Sequence, residues 1–109
     1  LGRLGSITSG GHTIQLADVE AALARLDGVR AVVAVGLPHP VLGGMVGVVV
    51  ETDLPAESLH DVVQSLPPPS RPRRSQVTAA LPRLASGKPD RMAAARLLLD
   101  HSLPAHDPR

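Results

Sequence analysis

Residues 29–51 read VRAVVAVGLPHPVLGGMVGVVVE, and this stretch decides the fold. Valine dominates both halves, Val29 to Leu37 and Met45 to Glu51, and Gly and Pro punctuate the segment between them. β-Branched side chains are stiff about χ1 and fit a pleated surface, so short valine runs bounded by breakers predict buried strands. Pro38-His39-Pro40 and Gly43-Gly44 supply the connection between the two strands.

On the N-terminal side, Leu16, Val19, Leu23 and Leu26 recur at spacings of 3, 4 and 3. They mark one apolar helical face that ends at Asp27-Gly28. Before it, Ile7 to Ile14 predicts a small hairpin with a Gly10-Gly11 turn. On the C-terminal side, Ala56 to Leu66 carries Leu59, Val62, Val63 and Leu66 on one face, a second helix. Pro67-Pro68-Pro69 stops it, because proline lacks the N–H donor and clashes in a helix interior. An arginine-bearing loop follows, then Ser75 to Ala79 as an edge strand. The Ser86-Gly87-Lys88 turn leads into a third helix, Asp90 to Asp100, with Asp90 as N-cap. Residues 101–109 are expected to form a flexible tail. The pattern predicts an α+β domain: a small, mainly three-stranded sheet flanked by helices, with an N-terminal hairpin.

Composition narrows the function. The 109 residues hold no Phe, Tyr, Trp or Cys, so aliphatic side chains alone fill the core and no thiolate site for zinc exists. A net charge of +1 gives no global attraction to nucleic acid or anionic membrane. Arg71, Arg73 and Arg74 are the one basic concentration, and no aromatics accompany them to stack bases. No apolar run approaches the ~20 residues of a membrane span, and Leu1-Gly2-Arg3 does not start a secretory leader. A start without Met suggests an excised fragment. The five histidines (His12, His39, His60, His101, His106) show no metal-ligand spacing.

Two signatures carry the chemistry. Downstream is Leu81-Pro82-Arg83-Leu84-Ala85-Ser86-Gly87-Lys88-Pro89-Asp90-Arg91, which sets a single cation on a small-residue turn. It is no phosphate-binding P-loop, since the earlier glycine and the trailing Ser/Thr are absent. Upstream are Gly2-Arg3, then Ser9-Gly10-Gly11-His12-Thr13-Ile14, then Asp18-Val19-Glu20. In this order they resemble the small C-terminal domain of adenylate-forming ligases, the superfamily of acyl- and aryl-CoA synthetases, luciferases and nonribosomal peptide adenylation domains. The resemblance covers residues 1–100, with a hinge at about 2–6.

The resemblance implies one mobile domain of a cytoplasmic, AMP-forming acid–thiol ligase of the fatty-acyl or aryl-CoA synthetase type, inactive in isolation. Lys88 matches the lysine that contacts carboxylate and nucleotide during adenylation. Arg3 lies near the nucleotide ribose by the same match, and Gly5 stands at the hinge where Asp or Lys is usual. Gly10 and Gly11 line the pantetheine tunnel for thioester formation, while Asp18 and Glu20 cap and solubilise their helix. ATP and Mg2+ would be held mainly by a large N-terminal domain, the principal partner. That domain would also select the carboxylic acid, and CoA or an acyl carrier protein would accept the acyl group. Other departures are His39 for Asp, Gly44 for Glu, and the loss of an aromatic before Arg71-Pro72-Arg73. They leave open a degenerate docking module, and an acyl-AMP ligase that transfers to a carrier protein stays open too.

Overall fold

The computed structural model describes residues 5–105, with side chains as far as 99. The chain opens on an antiparallel hairpin, β1 (Ser6–Ser9) and β2 (His12–Gln15). Gly10 and Gly11 have φ of +59° and +87°, the mirror-image two-residue turn whose twist suits a hairpin and whose backbone favours glycine. α1 (Leu16–Ala24) follows directly, burying Leu16, Val19 and Leu23. It ends two residues short of Leu26, which is half-buried beyond the last turn.

The valine runs become β3 (Val29–His39) and β4 (Gly43–Thr52), paired antiparallel. Both are longer than expected. Pairing continues through Pro38–Gly44 and His39–Gly43, which leaves only a tight turn between them. Pro38 is tolerated because β3 is an edge strand, where a missing donor breaks no ladder. After a 3-10 turn (Ala56–Leu59), α2 (His60–Ser65) precedes the proline run, and a second 3-10 turn spans Pro68–Ser70. β5 (Arg74–Thr78) then lies parallel to β4, giving the sheet order β3-β4-β5. α3 (Arg91–Ala105) runs past the expected end at Asp100. No residue from Arg91 to Leu103 lacks the backbone donor a helix needs, and Pro104 is the first that does.

Side chains on the central strand alternate between two cores. Val46, Val48 and Val50 join Ala34, Ile14, Val19, Leu23 and Leu59 on the α1 face. Met45 and Val49 join Val33, Val35, Leu37, Leu81, Ala94 and Leu98 on the α3 face. The sheet is thus covered on both sides, which explains why β4 reads as nearly continuous valine. A bulge between Val29 and Ala31 inserts Arg30 as an extra residue. Odd-numbered Val29 therefore packs with even-numbered Val32 on the α1 face, while Ala31 packs on the other. The bulge also turns Arg30 toward the far end of β4, where its guanidinium meets Glu51.

Candidate functional site

Lys88 sits on a narrow loop whose two legs are tied together. The Asp90 N–H donates to the Pro82 carbonyl at 2.9 Å, and the Leu84 N–H to the Lys88 carbonyl at 2.8 Å. The Gly87 N–H closes the tip onto the Leu84 carbonyl at 2.8 Å. Gly87 holds φ at +93°, a left-handed conformation that glycine adopts without strain. Asp90 caps α3 as expected, its Oδ1 accepting from the Ala93 N–H at 3.0 Å. Lys88 itself is exposed, and among the described residues no carboxylate pairs with its ammonium. The cation faces outward and is available to an anion.

Two carboxylates of the domain body grip the flanking arginines. On the first leg, Arg83 Nη2 donates to Glu51 Oε1 at 3.0 Å, while Arg83 Nη1 donates to the Gly87 carbonyl at 3.1 Å. Glu51 Oε1 also accepts from the Leu81 N–H at 3.0 Å, and Oε2 from Arg30 Nε at 3.3 Å. The Leu81 N–H is the main reason the Glu51 carboxyl is held below its ordinary value; Arg83 and Arg30 add to this, and partial burial opposes it. On the second leg, Arg91 Nη1 donates to Glu20 Oε2 at 2.9 Å and to the Ala34 carbonyl at 3.3 Å. Glu20 Oε2 also accepts the Ala34 N–H at 2.8 Å.

Glu20 therefore does not merely cap or solubilise its helix. The N-cap position of α1 is Gln15, without a side-chain bond, and Glu20 joins the upstream signature to the downstream one. Neither role of Glu20 and Arg91 was readable from spacing, because 71 residues separate them. Glu51 had one visible signal, a lone charge at the end of an all-aliphatic strand.

Gly10 and Gly11 lie elsewhere. The Gly10 N–H donates to the Leu42 carbonyl at 2.9 Å, which ties the hairpin tip to the β3–β4 turn. A Cβ on Gly11 would meet nothing within 4 Å, so the tip is open to an incoming group. His39 stands in this turn in place of the usual Asp, and its Nδ1 accepts from the Val41 and Leu42 N–H groups at 3.1 and 3.0 Å. The imidazole thus does an acceptor's work that a carboxylate would also do. Gly44 has an equally local reason. A Cβ there would stand 2.8 Å from the Thr8 carbonyl oxygen, so the close seat of β1 on β4 excludes a side chain.

Arg73 and Arg74 line a shallow hollow with His39 and Met45 at this same end of the sheet. Arg71 is turned inward instead, donating to the Leu66 and Gln64 carbonyls behind α2. Gly5, the hinge candidate, has φ of +79° and its carbonyl accepts from the Leu16 N–H at 3.3 Å. Gly2 and Arg3 lie outside the described residues.

The sequence model of the AMP-binding enzyme C-terminal domain matches residues 18–88, from the acidic end of the upstream signature to Lys88. The chain belongs to this family. Solved structures similar to this AMP-binding enzyme C-terminal domain include the acyl-CoA synthetase of Brucella canis, at 27% identity and TM-score 0.74, covering 94% of this chain and 20% of that one. The o-succinylbenzoate CoA synthetase MenE of Bacillus subtilis is 30% identical with TM-score 0.72, covering 90% and 20%. The amide bond synthetase McbA of Marinactinospora thermotolerans is 28% identical with TM-score 0.73, covering 85% and 20%. The domain thus spans about a fifth of the length of each. No curated protein sequence matches it. Among the described residues, no helix is long and apolar enough to cross a membrane.

Proposed function

We propose that this domain is the mobile lid of an ATP-dependent, AMP-forming acid–thiol ligase. A large N-terminal domain binds ATP and the carboxylic acid, and this domain brings Lys88 to them. The substrate carboxylate attacks the α-phosphorus, the bond to pyrophosphate breaks, and the Lys88 ammonium stabilises the charge that develops on the phosphoryl oxygens. The domain then turns about the segment near Arg3 and Gly5 and presents the Gly10-Gly11 tip. A thiol attacks the acyl carbonyl there, and AMP leaves. In this reading ATP and its Mg2+ are held mainly by the large domain.

One observation carries this reading. The Lys88 loop is anchored through Glu51 at one end of β4, and the glycine tip through Leu42 at the other. At the rise of an antiparallel strand, Gly44 and Glu51 are separated by about 24 Å. Groups anchored at opposite ends of one strand suit serving one reaction centre in turn, by rotation, and such closure also keeps water from the acyl-adenylate. Arg73 and Arg74, at the glycine end, suit a phosphate-bearing acceptor such as CoA or a phosphopantetheinyl carrier. His39 and Gly44 have packing reasons, which removes much of the motive for a non-catalytic docking module. The cytoplasmic placement belongs to the same reading.

The test is carboxylate-dependent ATP–pyrophosphate exchange by the full-length protein, wild type against Lys88→Ala, over a panel of acids. Exchange should vanish in the variant, while thioester formation from supplied acyl-adenylate largely survives. Equal loss in both steps would remove Lys88 from its role. Gly11→Leu should impair only the second step, and the acceptor panel should include an amine beside CoA and a carrier protein.

A further inference from the structure

We propose that Glu51 is a positioning residue for Lys88, acting through Arg83. The inference rests on the lid reading above and adds to it a residue that touches no substrate. Glu51 lies near the C-terminal end of β4, the middle strand of the sheet, and its side chain is 13% exposed. Its Oε1 holds both the Leu81 N–H and the Arg83 guanidinium at 3.0 Å. The same guanidinium reaches the Gly87 carbonyl at 3.1 Å, one residue before Lys88. The path from sheet to loop tip is therefore two charge-assisted contacts long, and both pass through one planar guanidinium.

The arrangement suits positioning more than general stability. Arg83 is 41% exposed, and exposed ion pairs contribute little to folding. A planar fork that bridges a strand carboxylate and a loop carbonyl does, however, fix direction. Around it, Arg30 braces Glu51 from the bulge of β3, with Nη2 on the Ala79 carbonyl at 2.7 Å and Nη1 on Asp53 at 3.3 Å. The loop tip has no packing of its own: Leu84 through Lys88 are all exposed, and a Cβ on Gly87 would touch nothing within 4 Å. Its aim depends on tethers at the legs, and misplacement of a catalytic group by about 1 Å costs up to about 100-fold in rate.

The experiment uses the full-length protein with Glu51→Gln, Arg83→Ala, the double variant, and Lys88→Ala as reference. Two readouts are taken: ATP–pyrophosphate exchange, and hydrogen exchange by mass spectrometry over peptides covering 81–90. Glu51→Gln should lower kcat for pyrophosphate exchange about tenfold or more with KM for ATP little changed. Thioester formation from supplied acyl-adenylate should stay within about twofold. The double variant should be no worse than Arg83→Ala, since both act along one path. Peptides over 81–90 should exchange faster, while those around Ala34 should not. Unchanged pyrophosphate exchange in Glu51→Gln, equal loss in both steps, or multiplicative losses in the double variant would each overturn the proposal. If Lys88→Ala leaves pyrophosphate exchange intact, the lid reading itself fails, whatever Glu51 does; the hydrogen-exchange result then reports the tether alone.

Discussion

Gly44→Ala tests whether the hairpin that carries the Gly10-Gly11 tip is held by close backbone packing. A Cβ at 44 would stand 2.8 Å from the Thr8 carbonyl oxygen, whereas carbon–oxygen contacts settle at about 3.3 Å or more. The obstacle is backbone, so no rotamer change relieves it, and β1 must lift by about half an ångström. Overpacking of this kind costs about 1–3 kcal/mol. Against it, alanine restricts the unfolded chain and returns about 0.4–1 kcal/mol. The net loss should be about 1–2 kcal/mol, a factor of about 5–30 in the opening equilibrium. The domain has no aromatic reporter, so hydrogen exchange of peptides over residues 6–15 in the full-length protein is the direct assay. Those peptides should exchange about 5–30 times faster, and thioester formation should slow while pyrophosphate exchange holds. Gly47→Ala is the comparison, because its Cβ would meet the ends of the Leu37 and Leu98 side chains at 2.7 and 2.8 Å. It should loosen α3 and spare the hairpin. Unchanged protection over 6–15 in Gly44→Ala, or the same pattern in both variants, would refute the reasoning.

Leu23→Ala removes a fully buried side chain from the α1 face and should cost about 2–5 kcal/mol in denaturant unfolding followed by circular dichroism, against under about 0.5 for exposed Ala21→Ser. Asp90→Ala deletes the cap on Ala93 and should cost about 1 kcal/mol, read as faster exchange in the first turn of α3. Glu51 is depressed in the folded protein, so its contribution is complete above the ordinary glutamate value of about 4.3 and is lost only as pH falls through the lower folded value. Pyrophosphate exchange by wild type and Glu51→Gln should therefore run parallel between about pH 5 and 9; a wild-type acid limb in that window that vanishes in Glu51→Gln would contradict the assignment.

Local chemistry made much of the fold legible. The valine runs announced β3 and β4, and Gly10-Gly11 announced a turn that needs positive φ twice. The spacing of Leu16, Val19 and Leu23 announced one buried helical face. What stayed hidden depends on partners distant in sequence. The bulge at Arg30 satisfies Glu51, Asp53 and the Ala79 carbonyl, none of them a neighbour in the chain. Pro38 and Gly43 looked like connection residues because nothing local shows that the β3–β4 pairing extends through them. At the site, the Lys88 turn and its Asp90 cap were readable from small-residue and capping patterns. Glu51 was not, since its two arginines are 21 and 32 residues away. Gly44 and His39 looked like losses by comparison with a motif; in three dimensions each fits its neighbours.

The grip of Glu20 and Arg91 on Ala34 also bears on how this domain stays apart from copies of itself. β3 is a valine-rich strand at the margin of the sheet, the kind of edge on which another chain readily adds a strand. The N–H and C=O groups of alternate residues point to one side of an antiparallel strand, so those of Val32, Ala34, Gly36 and Pro38 share the open side. At Ala34 both groups are already taken, by Glu20 and Arg91. Pro38 offers no donor at one end, and the bulge at Arg30 breaks the register at the other. An intruding strand would find no two consecutive rungs wholly free between Ala34 and Pro38. Two residues that join the signature motifs thereby also guard the domain against aggregation through this edge.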